Sequence, residues 1–322
     1  MKAFRRVRSL RPLAALTCLL LPMLASAQQG WPSKPIHFIV PFSAGGANDL
    51  MGRAAAEGAS KVLGQTVIVD NRPGAGGSLG ASIVAKSAPD GYTFLISAAG
   101  VISNSMIKKS LPYKDDDLVP VALIALSPSV VVVPHTSRYQ NLKDFVEGSK
   151  QGKGFNFATA GSGSTPHFVA EILNVKYGAQ LQPVPYKSGS ESTTAVMGGQ
   201  VEGTSEASII ALPHILHDGK FKALATTWTK RMSVAPDLPT AAEQGYPQLQ
   251  IAHWAGVHAP AGVAPEILDR MAAAVDAAMA FTSADAVAHA FGDQLAFKLR
   301  EGQQYVQDHA PHAIGGVESL RH

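Results

Sequence analysis

The sequence predicts an α/β protein of two lobes, each a mostly parallel sheet flanked by helices, with a ligand cleft between them. Three observations predict it. Short apolar strands alternate with helical segments from residue 36 onward. The alternation restarts near residue 130 and ends in a C-terminal return. A glycine-rich turn follows a strand in each half. Strand–helix–strand order implies parallel pairing, and ligands in such sheets sit beyond the carboxyl ends of strands.

Ile36 to Val40 reads as a strand ended by Pro41. A turn from Ser43 to Ala47 leads to a helix, with Asn48 and Asp49 as N-cap types. Leu50, Ala54, Val62 and Leu63 fall at helical spacing. Thr66 to Val69 is a second strand, and a turn-rich loop from Asn71 to Gly77 precedes a helix holding Leu79, Ile83 and Val84. Asp90-Gly91 turns into a third strand, Tyr92 to Ile96. In the second half, Val130 to Val133 is a buried-type strand, Leu142 to Lys150 a helix, Phe155 to Ala158 a strand and Thr165 to Tyr177 a helix. Val184 to Tyr186 ends a strand, Ser192 to Met197 is helical, and Val201 to Thr204 and Ala223 to Thr226 are extended. A strand near Ile251 leads to two Ala-rich helices, Pro265 to Phe281 and Ser283 to Ala290.

The 322 residues suit about two domains of ~150 residues each. With 46% hydrophobic and 16% charged residues, the chain is neither disordered nor a coiled coil. The formal charge of +3 is misleading. Residues 1–27 hold five basic and no acidic residues, an apolar run from Leu13 to Leu24, and Ala25-Ser26-Ala27. That order is a secretory signal, too short to span a bilayer. Removing five of the 27 basic residues leaves 22 against 24 acidic ones, a net −2. The basis for a nucleic-acid partner disappears with it. Cys18, the one cysteine, lies inside the signal, so thiol and disulfide chemistry are absent from the mature chain. An exported, periplasmic protein follows as the expectation.

Two loops carry the chemistry. Pro41 to Asp49 runs strand, glycine turn, helix, and Gly161 to His167 repeats that layout with Ser164, Thr165 and Pro166 at the helix start. Free N–H groups at a helix start attract a carboxylate, while a plain capped turn explains each loop equally well. One such loop in each half suggests jaws around a small carboxylate. Other patterns fail on context. Gly76-Gly77-Ser78-Leu79-Gly80 matches a nucleophile elbow, but Asn71-Arg72-Pro73-Gly74-Ala75 intervene after the strand, so the sharp strand-to-helix turn is absent. His309 and His312 lack a third metal ligand, and Asp115-Asp116-Asp117 lacks the glycine and glutamate of a calcium loop. No cofactor or metal is expected. A secreted serine hydrolase using Ser78, or Ser164 with His167, stays open as a rival.

The chain resembles the Bug-type substrate-binding proteins of tripartite tricarboxylate transporters. The resemblance rests on Trp31-Pro32-Ser33-Lys34-Pro35-Ile36, Val40 to Gly46 with Asp49, Asn71-Arg72-Pro73-Gly74-Ala75-Gly76-Gly77 and Pro89-Asp90-Gly91-Tyr92-Thr93. It continues through Leu111-Pro112-Tyr113, Val184-Pro185-Tyr186-Lys187, Gly198-Gly199-Gln200-Val201, Pro236 to Thr240 with Glu243 and Gly245, and Ala259-Pro260-Ala261-Gly262. It implies a Venus flytrap fold, with residues 28–128 and 251–322 as one lobe and 129–250 as the other. It implies a monomeric, non-enzymatic receptor that passes a small organic acid to a membrane permease; an amino acid or an aromatic acid is within the class. A sensor subunit of a signalling system is a further alternative. The family's two clamping loops carry over onto Phe42, Ala44, Gly45, Asn48 and Asp49, and onto Ser162, Ser164, Thr165 and His167. Ala99 and Tyr186 are expected at the cleft as well. The chain departs from the family at Ser188 and at Ser205-Glu206, where many members have Gly and Phe-Asp. Glu206 is therefore a candidate for a ligand's amino or hydroxyl group, or a merely exposed acid, and Trp254 is read as core or hinge.

Overall fold

The computed structural model describes residues 30–284. The signal segment, His309, His312 and most of the second C-terminal helix lie outside the described residues. The first lobe opens with β1 (Ile36–Val40), α1 (Ala47–Leu63), β2 (Val67–Asn71), α2 (Ser78–Ala85), β3 (Thr93–Ser97) and α3 (Ala99–Ile107). β1 pairs in parallel with both β2 and β3, as the strand–helix–strand order requires.

A long strand, β4 (Leu118–Pro134), then crosses the molecule. Beyond it come α4 (Leu142–Ser149), β5 (Phe155–Thr159), α5 (Thr165–Tyr177), β6 (Leu181–Pro185), α6 (Gly189–Met197), β7 (Gly203–Ala207), α7 (Ser208–Leu216) and β8 (Phe221–Thr226). The chain returns through β9 (Ala252–Pro260) and α8 (Pro265–Ala284). Strand order is β2-β1-β3-β9-β4-β7-β5-β6, with β8 also on β4. The outer strands are parallel, whereas β9, β4 and β8 pair antiparallel in the middle. β4 bonds β9 from Leu118 to Pro128 and changes partners to β7 and β8 from Ser129 onward.

Several expectations are corrected. Only Val130 to Val133 reads as strand because Pro120 and Pro128 interrupt the pattern; the register shift beside Pro120 absorbs a residue that cannot donate to the ladder. The α1 core face is not Leu50 and Val62, which are exposed, but Met51, Ala55, Ala56 and Ala59. Small residues are needed there: a methyl group on Gly58 would collide with Ala278 of α8, so the two helices pack close. α8 runs unbroken through Phe281 to Ala284, where a helix boundary was expected. α7 was not read from the sequence. It bridges two cores, since Ile210 joins the first lobe's cluster while Ala211 and Leu212 join one in the second.

Candidate functional site

The carboxyl ends of four strands deliver the chain to one cleft. Each strand feeds a helix, and the helix starts form the walls. Gly46, Ala47 and Asn48 come from α1, Ala98 to Gly100 from α3, Ser164 to Pro166 from α5, and Gly189 from α6. The first N–H groups of a helix have no acceptor within it. Four starts in one cleft therefore present donors and partial positive charge to a shared volume. Glu206 and His253 are the titratable groups on the walls, with no Lys or Arg among the lining residues.

The α1 loop is held by Asp49. Its carboxylate accepts from Gly45 N at 2.9 Å, Arg53 Nε at 3.0 Å and Asn71 Nδ2 at 2.9 Å. Burial opposes its charge, but these hydrogen bonds and the Arg53 charge hold its pKa below the ordinary value. The expected N-cap is corrected accordingly: Gly46 caps α1 without a side chain, and Asp49 reaches back from inside the first turn. Asn48 donates to Ser97 O at 3.3 Å and Trp254 O at 3.2 Å, tying the loop to β3 and β9.

The lobes touch at both rims of the cleft. On one, Ser43 N donates to Lys187 O at 3.3 Å, Ser43 Oγ to Glu191 Oε1 at 3.2 Å, and Ser190 Oγ to Ala44 O at 3.1 Å. On the other, Ser103 Oγ donates to Gly163 O at 3.2 Å, and Gly76 abuts Ser162 O. Gly76 has φ +60 and Gly163 φ +82, so glycine serves both backbone shape and close approach.

Of the residues singled out in the sequence, Phe42, Asn48, Ala99, Ser164, Thr165 and Glu206 stand on the cleft wall. Ala44, Gly45, Asp49, Ser162, His167 and Tyr186 do not. Ala44 and Ser162 serve the rims, Asp49 and Gly45 the loop's frame, and Tyr186 packs on a second-lobe core. His167 Nδ1 accepts from Gly163 N at 3.4 Å. Gly189, His253 and Trp254 reach the cleft without any sequence signal at their positions; Trp254 is wall rather than core.

Glu206 is the outlier. It is 2% exposed, and burial pushes its pKa up to about 8, while Thr204 pulls weakly the other way. The Thr204 hydroxyl lies 3.3 Å from Oε1 but 2.8 Å from Ala158 O, which takes most of its single proton. His253 is 8% exposed, and burial lowers its pKa to about 4 against a backbone hydrogen bond to Ser205. Its Nε2 has no partner among the described residues. The groups of the hydrolase rival are engaged otherwise. Ser78 Oγ donates to Ala75 O at 2.9 Å, and Ser164 Oγ donates to Gly161 O at 2.6 Å rather than to His167.

Comparison with known proteins agrees with this geometry. Residues 51–313 match the model of the tripartite tricarboxylate transporter family receptor. Protein BugT of Bordetella pertussis is 37% identical over 242 residues, covering 74% of each chain. A UPF0065 protein of Pseudomonas sp. (strain P51) is 34% identical over 259 residues, 80% of this chain and 77% of that one. Among solved structures, MatC from Rhodopseudomonas palustris with bound malate superposes with TM-score 0.81 at 30% identity, over 89% of this chain and all (100%) of that one. An R. palustris protein with adipate, Rpa4515, gives TM-score 0.80 at 27% identity, over 90% and 99%. The fold is thus the two-lobed one of periplasmic binding proteins, and the chain belongs to the tripartite tricarboxylate transporter receptor family, Bug-type solute-binding receptors.

Proposed function

We propose that this chain captures a small carboxylate between its lobes in the periplasm and delivers it, as a monomer, to the permease subunits of a tripartite tricarboxylate transporter. The observation that carries the reading is the convergence of four helix starts on one cleft without Lys or Arg among its lining residues. Such a site holds an anion by N–H groups and hydroxyls, and contacts on both walls favour the closed arrangement over an open one. Malate and adipate in the related structures are acids of the same class.

The lobes divide at the partner change between Pro128 and Ser129, with residues 30–128 and the return from 251 as one body and 129–250 as the other. The N-terminal 27 residues direct export and are removed. Among the described residues no helix is long and apolar enough to cross a membrane.

Thermal shift with mono- and dicarboxylates, amino acids and aromatic acids tests the reading. Stabilisation by at least one acid is expected. Binding of a neutral sugar with no response to any acid would overturn it. Recovery of a membrane kinase in place of a permease on pull-down would favour the sensor alternative.

A further inference from the structure

We infer that the ligand of this cleft carries a protonated amine as well as a carboxylate, and that Glu206 with His253 receives the amine. The inference rests on the receptor reading above and adds the ligand's second group.

The argument begins with what the two side chains lack. Glu206 sits at the end of β7, walled by the α6 start, and among the described residues its carboxyl receives only a shared contact from Thr204. His253 opens β9 on the same cleft. The backbone hydrogen bond to Ser205 fixes one ring N–H on a carbonyl, so neutral His253 keeps a lone pair on its unpartnered Nε2. Once Glu206 is ionised, both groups are acceptors on a wall otherwise supplied with donors. A bare carboxylate satisfies the helix starts and leaves these two unmatched. An ammonium supplies up to three N–H donors and the positive charge that would offset the burial of an ionised Glu206.

Among the described residues nothing else nearby supplies that charge. β4 and β5, which flank β7, carry no titratable residue. Glu191 on α6 is taken by Ser43 and Lys187 N, and His214 on α7 by Asp218. His167 on α5 faces Gly163 N, and His258 on β9 is bonded to Ser97. Glu171 and Lys176, also on α5, add nothing to the balance at Glu206, which is set by burial and Thr204. The α6 start beside Glu206 favours its ionised form once a cation is present. A second carboxylate at this place would instead meet an acid.

Calorimetry on the whole mature protein decides it, with matched probes that differ only in the amine: L-aspartate against succinate, L-glutamate against glutarate, and L-phenylalanine against 3-phenylpropanoate. At least one amine-bearing member should bind about tenfold tighter than its partner. At pH 7 binding should release close to one proton, seen by repeating the titration in buffers of different ionisation enthalpy, because Glu206 gives up the proton it holds. Glu206→Gln should erase the preference. Equal or tighter binding of the amine-free acids, proton uptake, or a preference that survives in Glu206→Gln would each overturn the inference while leaving the receptor reading intact. Failure of every acid in both series, while another carboxylate of the thermal-shift panel binds, would overturn the inference alone; a neutral sugar binding with no acid responding would overturn the receptor reading as well. Where the variant does not fold, the proton count on the parent protein decides.

Discussion

Gly189 is pressed against Glu206: a methyl group at Gly189 would overlap the Glu206 carboxyl at Oε2. The first residue of α6 thus sets where that carboxyl lies. Gly189 has no positive φ, so alanine there is strained by space alone. Gly189→Ala should push the acid out of place and cut ligand affinity about tenfold or more. Unchanged affinity by calorimetry would mean that the Glu206 carboxyl does not touch the ligand.

Glu206 also imposes a pH dependence. Its folded pKa of about 8 lies above its ordinary value of 4.5. Its contribution is full below about pH 4.5 and is lost as pH rises through 8, a loss on the order of a few kcal/mol. His253 and His258, both held down to about 4 by burial, act oppositely. Their contribution is full above about 6.5 and lost as pH falls through 4. Glu206→Gln leaves the histidines in place and cannot ionise. Its stability relative to the parent should therefore climb between pH 5 and pH 8 in urea titrations and level off above about pH 9. A constant difference across that range would show that Glu206 is already charged in the fold at pH 5.

The rim at Gly76 controls closure. With φ +60 and the Ser162 carbonyl against its Cα, this position accepts no side chain while the jaws meet. Gly76→Ala should hold the lobes apart, enlarge the radius of gyration of the ligand-saturated protein, and weaken binding, by at least tenfold, without touching the ligand. Small-angle scattering that overlays parent and variant would refute this.

Much of this was legible in the sequence. The α1 and α5 starts announce themselves because a strand, a glycine turn and a capping type stand in a row, and Phe42, Asn48, Ser164 and Thr165 reach the cleft from there. The α6 start does not, because Ser188-Gly189-Ser190 looks like any polar loop. Ser188 caps the helix by accepting from Glu191 N, a role visible only after the helix is known. His253 and Trp254 come from a strand some fifty residues beyond Glu206, and only antiparallel pairing with β4 brings them to the same floor. Parallel order was readable from alternation; the antiparallel middle was not, because proline hides the length of β4.

The place of β9 in the sheet has a consequence for the order of assembly. It lies between β3 and β4, yet among the described strands it is the last to leave the ribosome. Until residue 260 is through, β3 and β4 hold open edges and the first lobe cannot close its core. Residues 129–250 depend on no later strand, since β5, β6, β7 and β8 find their partners among themselves and on β4. The second lobe should therefore mature first. In pulsed hydrogen exchange during refolding, β5 and β7 should gain protection before β1 and β3, and the reverse order would refute the scheme. A receptor built this way completes its ligand cleft only as the last of its described strands arrives.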